Sequence, residues 1–190
     1  RDGKWITYSS NARNGIDFDV YVMHVESGRA EMLFSEGGWC DALGFSPSGT
    51  KIVVRVQHTF VHHNLYLVDI AGKGTTLITP HTGNAEYYFT RWLPDDSGFF
   101  VVTNEDLDFS GLVFYDVIRN EKKSILNPDW DLDFISLSKD GKWMTVVVNE
   151  DGYGKLTIYE TKSFTALKTT AFPKGMITDT GWSNDGEYLL

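Results

Sequence analysis

Hydrophobic and polar positions along this chain alternate in short runs. Asp19–Val25, Asn64–Ile70, Gly111–Val117 and Lys155–Thr161 each place apolar side chains at every second position, the period of a half-buried β-strand. Apolar runs such as Lys51–Gln57 and Trp143–Asn149 follow the recurring turn and read as strands as well. Polar turns rich in Gly, Asn, Asp and Ser separate these runs, among them Glu26-Ser27-Gly28, Ala71-Gly72-Lys73-Gly74 and Arg119-Asn120. A short strand such as Thr75–Thr79 follows such a turn. No stretch keeps a 3.6-residue period long enough for a helix, so the pattern predicts antiparallel β structure throughout.

One turn signature with a hydrophobic strand behind it recurs five times. The copies are Asp2-Gly3-Lys4-Trp5-Ile6, Pro47-Ser48-Gly49-Thr50-Lys51-Ile52, Pro94-Asp95-Asp96-Ser97-Gly98-Phe99, Lys139-Asp140-Gly141-Lys142-Trp143 and Asn184-Asp185-Gly186-Glu187-Tyr188. Their spacing of about 43–49 residues suits four strands per repeat, the blade of a β-propeller. The later copies follow Phe45-Ser46, Trp92-Leu93, Leu137-Ser138 and Trp182-Ser183, whose bulky members are expected to pack between blades. The fold class predicted is therefore all-β, a propeller fragment of four-stranded antiparallel blades covering 1–190. It divides into a partial blade at 1–34, blades at about 39–80, 86–127 and 133–171, and the start of another at 176–190.

Composition supports this reading. The 190 residues are 42% hydrophobic and 14% aromatic, with 6 Trp, 9 Tyr and 12 Phe, residue types that favour pleated, half-buried surfaces. The formal net charge of −9, with no cluster of Lys and Arg, argues against nucleic acid and against anionic lipid as partners. A lone cysteine, Cys40, excludes an intrachain disulfide and a cysteine-based zinc site. No apolar run approaches the roughly 20 residues of a membrane span. No signal peptide is visible, although Arg1 does not look like a natural start. The compartment expected is the cytoplasm.

Trp182-Ser183-Asn184-Asp185-Gly186, with Phe45-Ser46-Pro47-Ser48-Gly49 as its variant, resembles the Trp-Ser-Pro-Asp-Gly repeat of TolB-type (WD40-like) propellers. The same repeat occurs in the propellers of prolyl oligopeptidase-family (S9) serine peptidases. A narrower likeness, to acylaminoacyl- and dipeptidyl-peptidase-type members, runs from Trp92 to Phe99, through Thr103–Asp106, to Ser110–Leu112. Asn127–Asp131 and Val148–Tyr153 extend it. This resemblance implies a non-catalytic propeller that gates short peptides into a separate α/β-hydrolase domain carrying the nucleophile Ser, Asp and His. The parent would then be a peptidase, and the partners would be that domain and its peptide substrate. A free-standing TolB-like protein-binding module is the rival reading, and an active five-bladed hydrolase of another kind is a third.

No residue is assigned a catalytic, cofactor-binding or metal-binding role. Gly44-Phe45-Ser46-Pro47-Ser48-Gly49 approaches the G-x-S-x-G elbow of a serine hydrolase, but Ser48 stands where the second Gly belongs and a strand follows. Ser46 is thus expected to be a turn residue. His58, His62 and His63 cluster in one repeat and read as exposed loop histidines. Asp129, Asp131 and Asp133 have the opening spacing of a calcium loop, but its sixth position is Phe134 rather than Gly. These three, Asn104–Asp108 and Asn149–Asp151 read as solvated acidic loops. An unclosed run of blades would expose apolar ends, so assembly is expected. A homodimer of about eight blades is favoured over closure within one chain by pairing of Met176–Ser183 with Lys4–Ser10.

Overall fold

The computed structural model describes residues 3–168 and 172–190. Asp2 of the first turn signature and the last three residues of the 133–171 repeat lie outside the described residues. The chain divides into two compact units, Arg1–Tyr87 and Tyr88–Leu190, and every named strand pair within them is antiparallel.

The first unit holds two meandering sheets. One contains β1 (Trp5–Ser10), β2 (Asp19–His24) and β3 (Ala30–Phe34); the other contains β4 (Trp39–Phe45), β5 (Lys51–Thr59), β6 (His62–Asp69) and β7 (Thr75–Leu77). In the second unit, β8 (Tyr87–Trp92), β9 (Gly98–Thr103), β10 (Gly111–Asp116) and β11 (Glu121–Leu126) form one sheet. Its companion is β12 (Leu132–Leu137), β13 (Trp143–Glu150), β14 (Tyr153–Glu160) and β15 (Thr165–Ala166).

Alternation along the strands builds a hydrophobic core in each unit. Ile52, Val54 and Val56 of β5 point one way and meet Val20, Val22, Leu33 and Phe34 of the neighbouring sheet, with Cys40 and Val68 closing the cluster. In the second unit Phe100 and Val102 of β9 and Leu112 of β10 meet Leu132, Ile135, Met144 and Val146. Opposed pairs stabilise the sheets laterally. Phe100 faces Phe114 across β9 and β10 with ring centroids 5.0 Å apart, and Phe99 faces Tyr115 at 5.3 Å. Of the bulky residues ahead of the turns, Phe45 and Leu137 pack against these cores. Trp92 instead is buried against Phe99 of its own sheet, 4.9 Å away.

Strand position sets burial. Second strands β5, β9 and β13 are paired on both edges, and every residue of β9 is buried. Their counterpart β1 carries the same apolar sequence type but, among the described residues, pairs with β2 alone, and Trp5, Ile6 and Tyr8 are exposed. Met176–Ser183, expected as a strand, forms no named strand among the described residues, because a strand exists only where a neighbour completes its hydrogen bonds.

The recurring turn has one geometry. In the fourth copy the N–H of Gly141 donates to the carbonyl of Ser138 at 2.9 Å, and the N–H of Ser138 to the carbonyl of Trp143 at 2.8 Å. The Ser138 hydroxyl accepts the Trp143 N–H at 2.9 Å and donates to Asp140 at 2.7 Å. The fifth copy repeats this set with Ser183, Asp185, Gly186 and Tyr188. In the second, the Ser46 hydroxyl accepts the Lys51 N–H at 3.2 Å. Gly49, Gly141 and Gly186 all sit near φ 70–75°, left-handed backbone that glycine adopts without a Cβ penalty.

The third copy departs from the expected alignment. Its left-handed residue is Asp96 (φ 61°), whose N–H donates to the Leu93 carbonyl, not Gly98. Aspartate is one of the few side chains that tolerate this conformation. Gly98 begins β9, where an added Cβ would lie 2.3 Å from the Tyr115 carbonyl and 2.4 Å from the Phe114 ring. Close approach of β10, not turn geometry, requires glycine there.

Two outcomes follow from the turn. Gly141→Ala would combine left-handed strain with a Cβ placed 2.5 Å from Pro94 Cδ, whereas a Cβ at Gly49 meets nothing within 4 Å. Urea denaturation should show a loss of about 2–4 kcal/mol for Gly141→Ala and about 1 kcal/mol for Gly49→Ala; equal losses would contradict the packing account. Hydrogen bonds from Ser138 and the Lys142 amide hold the Asp140 carboxyl below its ordinary range, and Ser97 and Ser183 do the same first for Asp95 and Asp185. A lowered folded pKa stabilises above the unfolded value near 4, and that stabilisation is lost as pH falls through the lower folded value. Melting temperatures between pH 2 and 6 should therefore fall steeply below about pH 4, and less steeply in Asp140→Asn, which keeps the acceptor but removes the charge.

Candidate functional site

Antiparallel meandering brings two kinds of loop to the same end of each sheet. These are the hairpin between second and third strands and the segment leading to or from the neighbouring sheet. In both units this rim gathers the side chains that the sequence singles out.

In the first unit the rim is built by the β5–β6 hairpin, tipped by the exposed Phe60 and Val61, and by the segment after β7. The histidines here are strand residues, not loop residues. His58 lies in β5, and His62 and His63 lie in β6. His58 is exposed and its Nε2 accepts from the Asn64 amide at 3.1 Å. His63 is 3% exposed; its Nδ1 accepts the Tyr87 N–H at 3.3 Å, and burial pushes its imidazole below the ordinary range, toward the neutral form. The hairpin is longer than the sequence pattern suggested, with only Phe60 and Val61 outside the strands, so pairing draws the histidines into the sheet.

A fourth histidine joins them. The ring centroid of His62 is 5.1 Å from that of His58 and 5.1 Å from that of His81. His81 donates through Nδ1 to the Thr79 carbonyl at 2.8 Å. Nothing in sequence spacing marks His81, because the β7 return brings it to β6 only in the folded chain. Among the described residues, no three His, Cys, Asp or Glu side chains converge in a way that could hold a metal ion.

Ser46 is 2% exposed, and its hydroxyl is engaged with the Lys51 N–H and with Ser48 Oγ at 3.3 Å. It sits in the repeat turn between two strands, not in a strand-to-helix elbow.

The rim of the second unit is acidic. Asp131 accepts the Ser110 N–H and hydroxyl at 2.9 and 3.0 Å, clasping the β9–β10 loop to the β11–β12 segment. Asp133 lies within β12 at a register shift, and burial, then the nearby Asp131, raise its carboxyl above the ordinary range. The calcium-like spacing of Asp129, Asp131 and Asp133 is therefore split: one residue clasps a loop and one belongs to a strand. Asp129 instead borders a cavity of about 280 Å³ between the β11–β12 segment and the sheet of β12–β15. Its walls include Trp130, Tyr159 and Pro128, and also Glu150 and Lys155, which form an ion pair of 2.6 Å. Sequence reasoning passed over Trp130, Lys155 and Tyr159, whose convergence depends on the pairing of β13 with β14.

No family model and no curated protein sequence matches the chain. Solved structures do resemble it. TolB from Acinetobacter baumannii is 20% identical with a TM-score of 0.71, over 99% of this chain and 45% of that one. A prolyl endopeptidase, described in a structural and mechanistic study of two such enzymes, is 16% identical with a TM-score of 0.77, over 97% of this chain and 29% of that one. A putative TolB from Agrobacterium tumefaciens is 16% identical with a TM-score of 0.73, over 99% and 70%. This chain thus spans less than half the length of the first two. At these identities the likeness establishes fold: the chain is an all-β run of antiparallel blades with the propeller fold also seen in TolB and in prolyl endopeptidase.

Proposed function

We propose that the chain is a non-catalytic propeller segment of an S9-type serine peptidase, gating the access of short peptides to a separate α/β-hydrolase domain. The supporting observation is the likeness to prolyl endopeptidase, which takes in nearly all of this chain but under a third of that enzyme. Such a relation suits a segment that works beside a catalytic domain. The narrower likeness running from Trp92 to Leu112 points the same way, whereas the recurring turn is common to both kinds of propeller. Fold alone does not carry function, so the alternative stays in view. A TolB-like module that binds another protein is favoured by the putative TolB likeness, where this chain accounts for 70% of its neighbour.

The natural reading frame distinguishes the two. For a peptidase gate it continues past Leu190 into a G-x-S-x-G elbow followed by Asp and then His. A fluorophosphonate probe would then label one serine of the full-length protein, outside 1–190, and leave the 190-residue chain unlabelled. Labelling of a serine within 1–190 would overturn the assignment. A reading frame that holds blades alone, with no elbow, would transfer the proposal to the binding module.

A further inference from the structure

The cavity beside Trp130 has a chemistry of its own, independent of whether the chain gates a peptidase or docks a partner. Its apolar and aromatic lining includes Pro128, Trp130 and Tyr159. Tyr159 is held in place by stacking on Phe164, with centroids 4.3 Å apart and planes at 13°. Trp130 is 41% exposed and leans on Phe109, itself 40% exposed, at 6.4 Å. Two aromatic faces therefore lie open at one rim.

The polar side chains that line the cavity are Asp129, Glu150, Lys155 and Thr157. Asp129 makes no hydrogen bond or ion pair among the described residues. The β9–β10 loop that carries Phe109 also holds Glu105, Asp106 and Asp108, and the β13–β14 hairpin holds Asp151. Of the cations nearby, Lys122 is already paired with Glu105, and Lys155 with Glu150. Lys174 lies over the Tyr153 ring. A concave, partly apolar site with an excess of one sign of charge concentrates ligands of the opposite sign.

We propose that this cavity binds the guanidinium of an arginine side chain presented by a peptide or a flexible protein segment. Arginine fits better than lysine for three reasons. Its planar group stacks on an aromatic face, it forms paired hydrogen bonds with a carboxylate, and it is less strongly hydrated than an ammonium. A volume of about 280 Å³ lies at the bottom of the range for small-molecule pockets and suits one long side chain. Lys155 acts as an internal competitor: its pair with Glu150 is solvent-exposed, with side chains 64% and 45% accessible. Exposed ion pairs are weak enough for an incoming guanidinium to exchange with the lysine.

Calorimetric titration of the 190-residue chain with acetyl-Ala-Arg-Ala-Arg-Ala-amide tests this, beside the same peptide carrying citrulline or lysine. Binding should be measurable at millimolar peptide or below and weaken with added salt. It should drop about tenfold with citrulline, and about as much in Trp130→Ala and in Asp129→Asn. Lys155→Ala should instead tighten binding about threefold, since it frees Glu150. All three substitutions are at exposed positions, and an unchanged melting temperature shows that each variant folds. Absence of binding, equal binding of the citrulline peptide, or indifference to Trp130→Ala and Asp129→Asn would overturn the proposal. Equal affinity for the lysine peptide would overturn the choice of arginine.

Discussion

The turn that joins the first and second strands of each four-stranded sheet is the constraint on which the rest of this structure depends. A serine hydroxyl accepts the amide five residues on, and an aspartate two residues after the serine binds that hydroxyl and a further amide. The next residue turns left-handed. The loop length is thereby fixed, and with it the register of the two strands. A slip of one residue would move Ile52, Val54 and Val56, or Phe100 and Val102, from the core face to the opposite face. Both cores presuppose that this turn closes in one way.

The copies show which parts of the device are replaceable. Leu93 stands where Ser138 and Ser183 stand, and Asp96 where Gly141 and Gly186 stand, yet the Asp96 amide still reaches the Leu93 carbonyl and Ser97 still caps Asp95. The backbone path is retained while the side chains that stabilise it vary. With Asp96 taken as the equivalent of Gly49 and Gly141, the five left-handed positions 3, 49, 96, 141 and 186 are spaced more evenly than the glycines alone. Glycine identity misleads at Gly98, where crowding from Phe114 and Tyr115 governs the choice.

At the opposite end of the sheets the constraint relaxes, and the two units diverge. One rim collects imidazoles, with His63 buried and pushed by burial toward its neutral form and His58 exposed. The other collects carboxylates around open aromatic rings. Strand pairing holds the scaffold constant while the loops that emerge from it carry different chemistry. Asp131 marks the boundary between these roles, because it belongs to the acidic rim by charge but serves as the clasp between two loops.

The amino-acid pattern alone determined the all-β class, the antiparallel meander and the repeating turn, since each rests on local physics: a two-residue side-chain period, a left-handed backbone position and a hydroxyl within reach of a nearby amide. It also identified Ser46 as a turn residue, because the elbow it imitates needs a helix that the following strand forbids. Only the tertiary structure decided that His62 and His63 are strand residues, that His81 joins them, and that Asp129, Asp131 and Asp133 part company. It likewise decided that Asp129, Trp130, Glu150 and Tyr159 share one cavity. Those facts depend on which segments lie side by side, and residues far apart in the chain meet only once the strands have paired.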